Sequence, residues 1–410
     1  MKLFQRLLVA PAALGLLSPL AANATEVNLN EIENYSDVES FEFINNFDND
    51  QLNTSTLLVG GEGLVETDSF DSFDGGFSET TTASFSVDMA IGAVDGLGED
   101  TTGTTNAEIE GDQTVQAVYG FQIDLNTSFT GEDSLDVSID AGNGASTGPL
   151  GEFDLNGGSD ALTVDGVSYT FPLGDSITAI VGDNTDGSAL FTTACAYGGP
   201  SNTLDDCGNV NAGITNGGFM VGAAYDFENG WSAAVGYAGD ETNVMTKEGA
   251  GAYGANVAYS ADNYGVSLTY GNVDSTTGTP ATPDGEKDAY TAVNAFFTFD
   301  NGTSISGGYE FGDIGGAAAT ADESINYFVG ISTPTGPGEL GAAFGTAGGQ
   351  IEGQDEELMY EAYYSYPIND GMTITPLVFV KEKAAAGNPD QTGVMVKTCL
   401  LYTSPSPRDS

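Results

Sequence analysis

The chain has 410 residues, and 60 acidic residues face eight basic residues and no histidine, giving a formal net charge of −52 at pH 7. This balance argues against nucleic acid as a partner, because phosphate neutralisation requires clustered Lys or Arg. The lack of imidazole also removes the usual activator of a nucleophile and a common zinc ligand. We therefore predict no enzyme, no cofactor and no metal site.

Residues 1–24 have the features of a secretory signal peptide. Lys2 and Arg6 form a basic start, an apolar stretch follows, and Ala22-Asn23-Ala24 is a small-residue cleavage site. The apolar stretch is too short for a membrane-spanning helix, and no later segment reaches about 18 apolar residues in a row. A membrane protein with this sequence would therefore have to be a closed β-barrel.

Residues 25–76 are polar and acidic, with little strict periodicity, and we predict an acidic periplasmic N-terminal segment there. From about residue 77 to 398 the pattern becomes short runs in which apolar and polar residues alternate. Val115, Ala117 and Tyr119 are on one face of such a run, and Gln116 and Gln122 are on the other. One face suits lipid and the other water, as in an outer-membrane barrel.

The predicted strands number sixteen. They are placed near residues 80–94, 114–129, 133–142, 165–172, 175–183, 217–227, 231–239, 252–260, 263–273, 289–299, 303–312, 323–333, 338–346, 357–366, 371–380 and 391–398. Aromatic residues near the strand ends predict an interfacial girdle. They are Tyr225, Phe227, Trp231, Tyr259, Tyr264, Phe299, Tyr364 and Tyr366.

The connections between these runs are short and long in strict alternation. The short ones carry hairpin residues such as Asn229-Gly230 and Asn301-Gly302, which accept positive φ. Eight long loops and seven tight turns give sixteen strands, with both chain ends on the periplasmic side. A soluble β-sandwich is the alternative, but it has no reason to alternate long and short connections. The fold class predicted is all-β, a transmembrane antiparallel barrel.

Residues 399–410 resemble a translated sequencing adapter, so we interpret them as a non-native tail and the barrel as truncated in its last strand. Without the signal peptide and this tail, five lysines face 59 acidic residues, a net charge of −54. Two cysteines remain, Cys195 and Cys207, both in the longest loop. In an exported chain, a pair of this kind most simply forms one disulfide.

Four segments resemble porins of marine unicellular cyanobacteria. They are residues 1–15, 28–37, 125–133 and 168–174, which read MKLFQRLLVAPAALG, NLNEIENYSD, LNTSFTGED and SYTFPLG. The resemblance extends over essentially the whole chain and implies the carbohydrate-selective (OprB-like) porin group, with a passive channel in the outer membrane. It also makes outer-membrane lipid a partner and a homotrimer the expected assembly.

Two departures limit this resemblance. Longer members of the group carry an S-layer-homology domain that anchors the barrel to the cell wall, followed by a coiled coil. Residues 25–76 are too short for both and contain no recognisable copy. Cell-wall anchoring is therefore not carried over. Porins also commonly set arginines against acids at their constriction, whereas the chain has no arginine between its signal peptide and its tail. Anion selectivity is therefore not carried over either.

Alternate residues of a strand point to opposite sides, which we call its two parities. If the apolar parity faces lipid, the residues of the other parity line the lumen, and several of them are acids. Fixed charges of this kind select among ions. The predicted pore-lining residues are Asp88, Asp124, Asp136, Asp140, Glu310 and Glu361. In porins the third long loop folds into the barrel, and here that loop is residues 184–216. It predicts a constriction with Asp186, Asp205 and Asp206, closed by the Cys195–Cys207 disulfide. The alternative is a solvated outer loop.

Three functions remain open at this stage. The first is a passive channel for small hydrophilic solutes and ions, with a preference for cations or neutral molecules. The second is a carbohydrate-selective porin, which requires an aromatic track in the lumen, for which Phe296, Phe328 and Tyr363 are the candidates. The third is a structural or adhesive surface protein. Sixteen strands leave an aqueous interior, which favours transport.

Overall fold

The computed structural model describes residues 81–96, 114–144, 150–157, 160–214, 218–242, 244, 250–274, 287–315, 322–348, 350–382 and 390–403. The chain divides into two units, residues 1–70 and 71–410, and all described residues belong to the second. The predicted signal peptide and acidic N-terminal segment lie outside the described residues. Across the described ranges, no helix is long and apolar enough to cross a membrane.

The regular elements of the described chain are almost all strands. They are β1 (Thr81–Asp95), β2 (Gln116–Thr127), β3 (Ser134–Gly142), β4 (Thr163–Pro172), β5 (Ile177–Asp183), β6 (Phe219–Asp226), β7 (Trp231–Gly239), β8 (Gly251–Ser260), β9 (Tyr264–Asp274), β10 (Lys287–Thr298), β11 (Ser304–Asp313), β12 (Glu323–Thr335), β13 (Gly338–Thr346), β14 (Gln350–Ile351), β15 (Leu358–Asn369), β16 (Met372–Lys381) and β17 (Gln391–Thr403). A single 3₁₀ turn, Gly151–Phe153, lies between β3 and β4.

These strands form one closed antiparallel barrel. Each long strand pairs with its neighbours in the chain, and β1 pairs with β17 from Ser84 opposite Thr403 to Asp95 opposite Thr392. The two-residue β14 only adds to the end of β12, where Ser324 lies opposite Ile351. The prediction of an all-β barrel of sixteen membrane-length strands is confirmed.

The strand boundaries differ most at the C-terminus. The prediction ends the last strand at residue 398, whereas β17 continues to Thr403 and pairs with both β1 and β16. Leu400 and Tyr402 carry apolar side chains that are exposed on the outside of the barrel. The register with β1 continues without a shift to Thr403 and that with β16 to Leu400, and this pairing prolongs the strand.

The outer surface is apolar, and its aromatic residues gather in bands. At the turn side, Tyr225 packs on Phe227 with ring centroids 4.7 Å apart, and Tyr259 lies between Trp231 and Tyr264 at 5.2 and 5.7 Å. A second exposed tyrosine on β8, Tyr253, lies six residues before Tyr259, about 20 Å along the strand. Two aromatic bands flanking an apolar zone are typical of a barrel in lipid.

The barrel interior contains a hydrophobic cluster as well as polar groups. Inward residues of β12, β13, β15, β16, β17 and β1 pack there against residues of two long loops. The buried members are Ala90, Val94, Leu150, Phe153, Leu155, Tyr197, Leu204, Cys207, Phe328, Ala343, Met359, Tyr363, Leu377, Phe379 and Met395. In a fully water-filled lumen these side chains would be exposed to solvent. They are buried, so protein fills part of this interior.

Candidate functional site

One side of the interior, which we call the acid wall, carries Asp124, Asp136 and Asp140 on β2 and β3 and Asp165 on β4. Polar neighbours orient these carboxylates. Asp124 Oδ1 accepts hydrogen bonds from Gln122 Nε2 and Ser138 Oγ, both at 2.7 Å. Asp136 accepts from Asn126 at 2.6 Å, and Asp140 accepts from Thr163 at 2.7 Å. The acid wall therefore presents fixed negative charge to the open interior.

Asp165 is an acid that the alternation rule did not find. The β3–β4 register shifts between Ser138 and Ile139, and this irregularity puts Asp165 beside the inward-facing residues. Together with Asp136 and Asp186 it lines a cleft of about 380 Å³. Burial and the nearby Asp165 raise the pKa of Asp186. A register shift between predicted strands was the only signal that would have revealed Asp165, and one sequence does not show it.

Asp88 also faces inward, from β1. It lines a smaller pocket with Ser86, Gln122 and Asp154, and its Oδ1 atom is buried without a hydrogen bond among the described residues. Asp88 and Asp154 therefore add two acids beside the acid wall. No group of three or more His, Cys, Asp or Glu side chains in the described ranges is arranged to hold a metal ion.

Residues 184–214, which we call the inner loop, run across the opposite wall. In a ring of sixteen strands, β11 lies eight positions from β3, so this wall faces the acid wall. Alternate backbone N–H groups of the inner loop donate to one side chain per strand. Thr192 donates to Asn256 at 3.0 Å, Ala194 to Ser267 at 2.9 Å and Ala196 to Ser306 at 2.9 Å.

Glycines on the inner face of this wall make room for the inner loop, and we call them the loop seat. Their side-chain positions are occupied by loop atoms. A Cβ added to Gly236 would lie 1.9 Å from Gly187 O, and one added to Gly308 would lie 1.9 Å from Cys207 O. The loop seat comprises Gly236, Gly254, Gly271, Gly308, Gly330 and Gly345. Inward-parity glycines on successive strands were the signal that sequence reasoning missed.

The parity rule placed Glu310 and Glu361 in the interior, but the expectation that they line the open lumen is wrong. Glu310 is 0% exposed and Glu361 is 5% exposed, because the inner loop covers both. Glu310 accepts from the backbone N–H groups of Asn211 and Ala212 at 2.7 Å. Glu361 accepts from the Tyr197 hydroxyl at 2.6 Å. Parity reports which way a side chain points but not what lies over it.

Cys195 and Cys207 form a disulfide within the inner loop, with their Cα atoms 6.4 Å apart. Asp205 and Asp206 are next to Cys207 and are exposed on the loop. Although water reaches both carboxylates, protein surrounds them within the barrel. This confinement, together with Asp206, raises the pKa of Asp205 to about 7. Confinement, Glu310 and Asp186 raise the pKa of Asp206 to about 6.

A second long connection, between β3 and β4, also enters the barrel. Phe153 and Leu155 are buried in the interior cluster. Glu152 forms an ion pair with Lys381 of β16 at 2.9 Å, and Lys381 also donates to Thr203 of the inner loop at 2.9 Å. Glu152 therefore links two loops and the wall, and no pattern in the sequence pointed to it.

The described lysines do not form a basic face against the acid wall. Lys381 is paired with Glu152, and Lys287 is paired with Asp274 at a strand end. The Lys397 ammonium lies 5.6 Å from the centre of the Phe153 ring, in a cation–π arrangement. Among the described residues, negative charge therefore dominates the open interior.

The three aromatic candidates for a sugar track have different positions. Phe328 and Tyr363 are 1% and 3% exposed, and both rings pack against Tyr197 of the inner loop, at 5.3 and 5.8 Å. Phe296 is partly exposed and lies near Gly265 at the turn side. The three rings do not make a continuous surface along the open interior, because the inner loop covers two of them.

Searches of family models and of curated proteins found no match for this chain. Solved structures do match. OprB of Pseudomonas putida aligns with a TM-score of 0.57 and 9% identity, covering 79% of this chain and 94% of that one. Variants of the Rh. blastica porin align with a TM-score of 0.52 and 13% identity, covering 78% of this chain and 100% of theirs. At these identities the likeness is one of fold, and the fold of this chain is that of a porin barrel.

Proposed function

We propose that this chain is an outer-membrane porin, a passive diffusion channel for small hydrophilic solutes and inorganic ions that prefers cations or neutral solutes over anions. The observation that carries the proposal is the contrast across the interior. Oriented carboxylates at Asp124, Asp136 and Asp140 face the open space, while Lys381 is paired with Glu152. Fixed charges in a confined passage attract ions of opposite sign.

Three features of the structure support this proposal. The barrel closes between β1 and β17, its outer surface is apolar with aromatic bands, and its fold is that of proteins named as porins. The signal-peptide features of residues 1–24 fit export to the outer membrane. The same fold likeness supports a homotrimer as the working expectation for assembly.

The carbohydrate-selective alternative loses its main support in the lumen. It requires a row of accessible aromatic rings, and the inner loop covers Phe328 and Tyr363. A purely structural or adhesive role would not require oriented carboxylates inside the barrel. We therefore rank the ion and small-solute channel first.

The test is a conductance measurement on the refolded chain in a planar lipid bilayer. With a tenfold gradient of KCl, a porin of the proposed kind gives stepwise openings and a reversal potential on the cation-selective side. A parallel liposome-swelling assay with neutral sugars of increasing size compares the alternatives. A correctly folded barrel that never conducts would contradict the channel, and strong sugar discrimination without ion selectivity would favour the carbohydrate alternative.

A further inference from the structure

The enclosed carboxylate of Glu310 has an unusual environment for an acid. It is 0% exposed, on β11, and neither of the two ion pairs among the described residues includes it. Burying a carboxylate without a cation is costly unless hydrogen-bond donors replace its water. The neighbours of Glu310 must therefore supply those donors.

Four donors converge on this one side chain. Oε2 accepts from the backbone N–H groups of Asn211 and Ala212, both at 2.7 Å. Oε1 accepts from the Asn211 and Asn326 side-chain amides, both at 2.8 Å. Three of the four donors belong to the inner loop, and the fourth belongs to the adjacent strand β12. Glu310 therefore binds the returning limb of the inner loop to the barrel wall.

A carboxylate satisfies all four donors as they stand. A carboxylate is an acceptor at both oxygens, whereas a glutamine of the same shape would direct an NH₂ group at two donors. The Asn211 and Asn326 amides would both have to turn over to accept from that NH₂ group, and Asn326 Oδ1 would lose the hydrogen bond that it accepts from the Thr346 hydroxyl. An alanine would leave all four donors without an acceptor. The pocket is thus arranged for a side chain that accepts at both oxygens.

We propose that Glu310 is the positioning residue of the channel, fixing the inner loop on the loop seat and thereby setting the bore between that loop and the acid wall. This inference rests on the proposed function. Nearby geometry agrees with it, because Asn294 Nδ2 donates to Cys207 O at 2.8 Å and Gly308 leaves no space for a side chain beneath that carbonyl. Glu310 acts through the loop, and solutes do not contact it.

The test compares Glu310→Gln and Glu310→Ala with Asp124→Asn in planar bilayers. If Glu310 positions the loop, its variants change single-channel conductance by roughly twofold or more and add rapid flicker, and larger polyethylene glycols enter the pore. Asp124→Asn mainly shifts the reversal potential, because it removes charge without freeing the loop. Limited proteolysis of the folded barrel adds a direct readout, with faster cleavage between residues 184 and 214 expected in the Glu310 variants.

A milder pair covers the case in which the Glu310 variants do not fold. Tyr197→Phe removes a loop-to-wall hydrogen bond at Glu361, whereas Tyr363→Phe removes a bond to Glu339 that joins two wall strands. We expect flicker and faster loop cleavage in Tyr197→Phe and not in Tyr363→Phe. A wild-type chain that does not conduct would refute the proposed function. A conducting wild type with unchanged bore, noise and cleavage in the variants that fold would overturn the positioning role alone.

Discussion

The acid wall and the loop seat face one another across the same barrel, and both obey the same alternation of residues. On the acid wall, inward side chains are carboxylates, serines and amides that remain partly exposed. On the loop seat, inward positions are glycines and buried polar residues such as Asn256 and Asn294, and the inner loop covers them. The contrast shows that the identity of inward residues, beyond their parity, distinguishes an open wall from a covered one.

We expect the largest effect on conductance from a substitution that fills the loop seat. Gly308→Val places a side chain where the Cys207 carbonyl lies, so the inner loop must move. We expect a roughly twofold or larger change in single-channel conductance. Gly307→Val is the matched control, because Gly307 points outward and a Cβ there meets only Phe328 O at 3.6 Å. Equal effects of the two substitutions on conductance would contradict the loop seat.

An acid on the open wall and an acid under the inner loop should affect ion selectivity to different degrees. Asp124 is on the open acid wall and Glu361 is covered, so Asp124→Asn should reduce the cation-to-anion permeability ratio more than Glu361→Gln. One charge about 10 Å from a permeating ion in water contributes roughly 0.4 kcal/mol, favourable for a cation and unfavourable for an anion, so its removal lowers the ratio roughly fourfold. Reversal potentials at low salt measure this ratio, since screening at about 0.1 M weakens the effect. A larger shift from Glu361→Gln would contradict the assignment of the open wall.

The third prediction uses the inner loop as a titratable surface opposite the acid wall. The raised pKa values, about 7 for Asp205 and about 6 for Asp206, mean that both carboxylates lose charge as pH falls from 8 to 5. Cation preference should therefore weaken over that interval, by roughly fourfold at low salt for each charge lost. The Asp205→Asn/Asp206→Asn double variant should lack this component, and an unchanged pH profile in it would count against the loop acids.

The smallest expected effect is that of the disulfide. Cys195→Ser with Cys207→Ser removes the link between two limbs of the inner loop, which hydrogen bonds from Ala194, Ala196 and Asn294 still hold to the wall. We expect more current noise at nearly unchanged mean conductance. A reducing agent should reproduce this noise in the wild type and in Cys399→Ser, which alters a free cysteine on β17. A large change in conductance would mean that the disulfide, and not the wall, positions the loop.

The strand order, the sixteen-strand count and the facing of Asp88, Asp124, Asp136 and Asp140 could be predicted because alternation and connection length are local properties of the sequence. Asp165 could not, because its position depends on a register shift between β3 and β4. The covering of Glu310 and Glu361 depends on contacts with residues of a loop about 100 and 160 positions away in the chain. No periodicity records such contacts, and so the sequence located the acids but not their roles.

The hydrogen bonds that hold the inner loop reach mainly its backbone. Asn256, Ser267 and Ser306 accept from main-chain N–H groups, and Asn294 donates to a main-chain carbonyl. Because every residue type except proline offers the same N–H group, substitutions at Thr192, Ala194 or Ala196 leave those bonds available. The position of the inner loop thus depends on its backbone, whereas the groups that it presents to the interior depend on its side chains. Substitution of those side chains can therefore change solute preference while the passage keeps its dimensions.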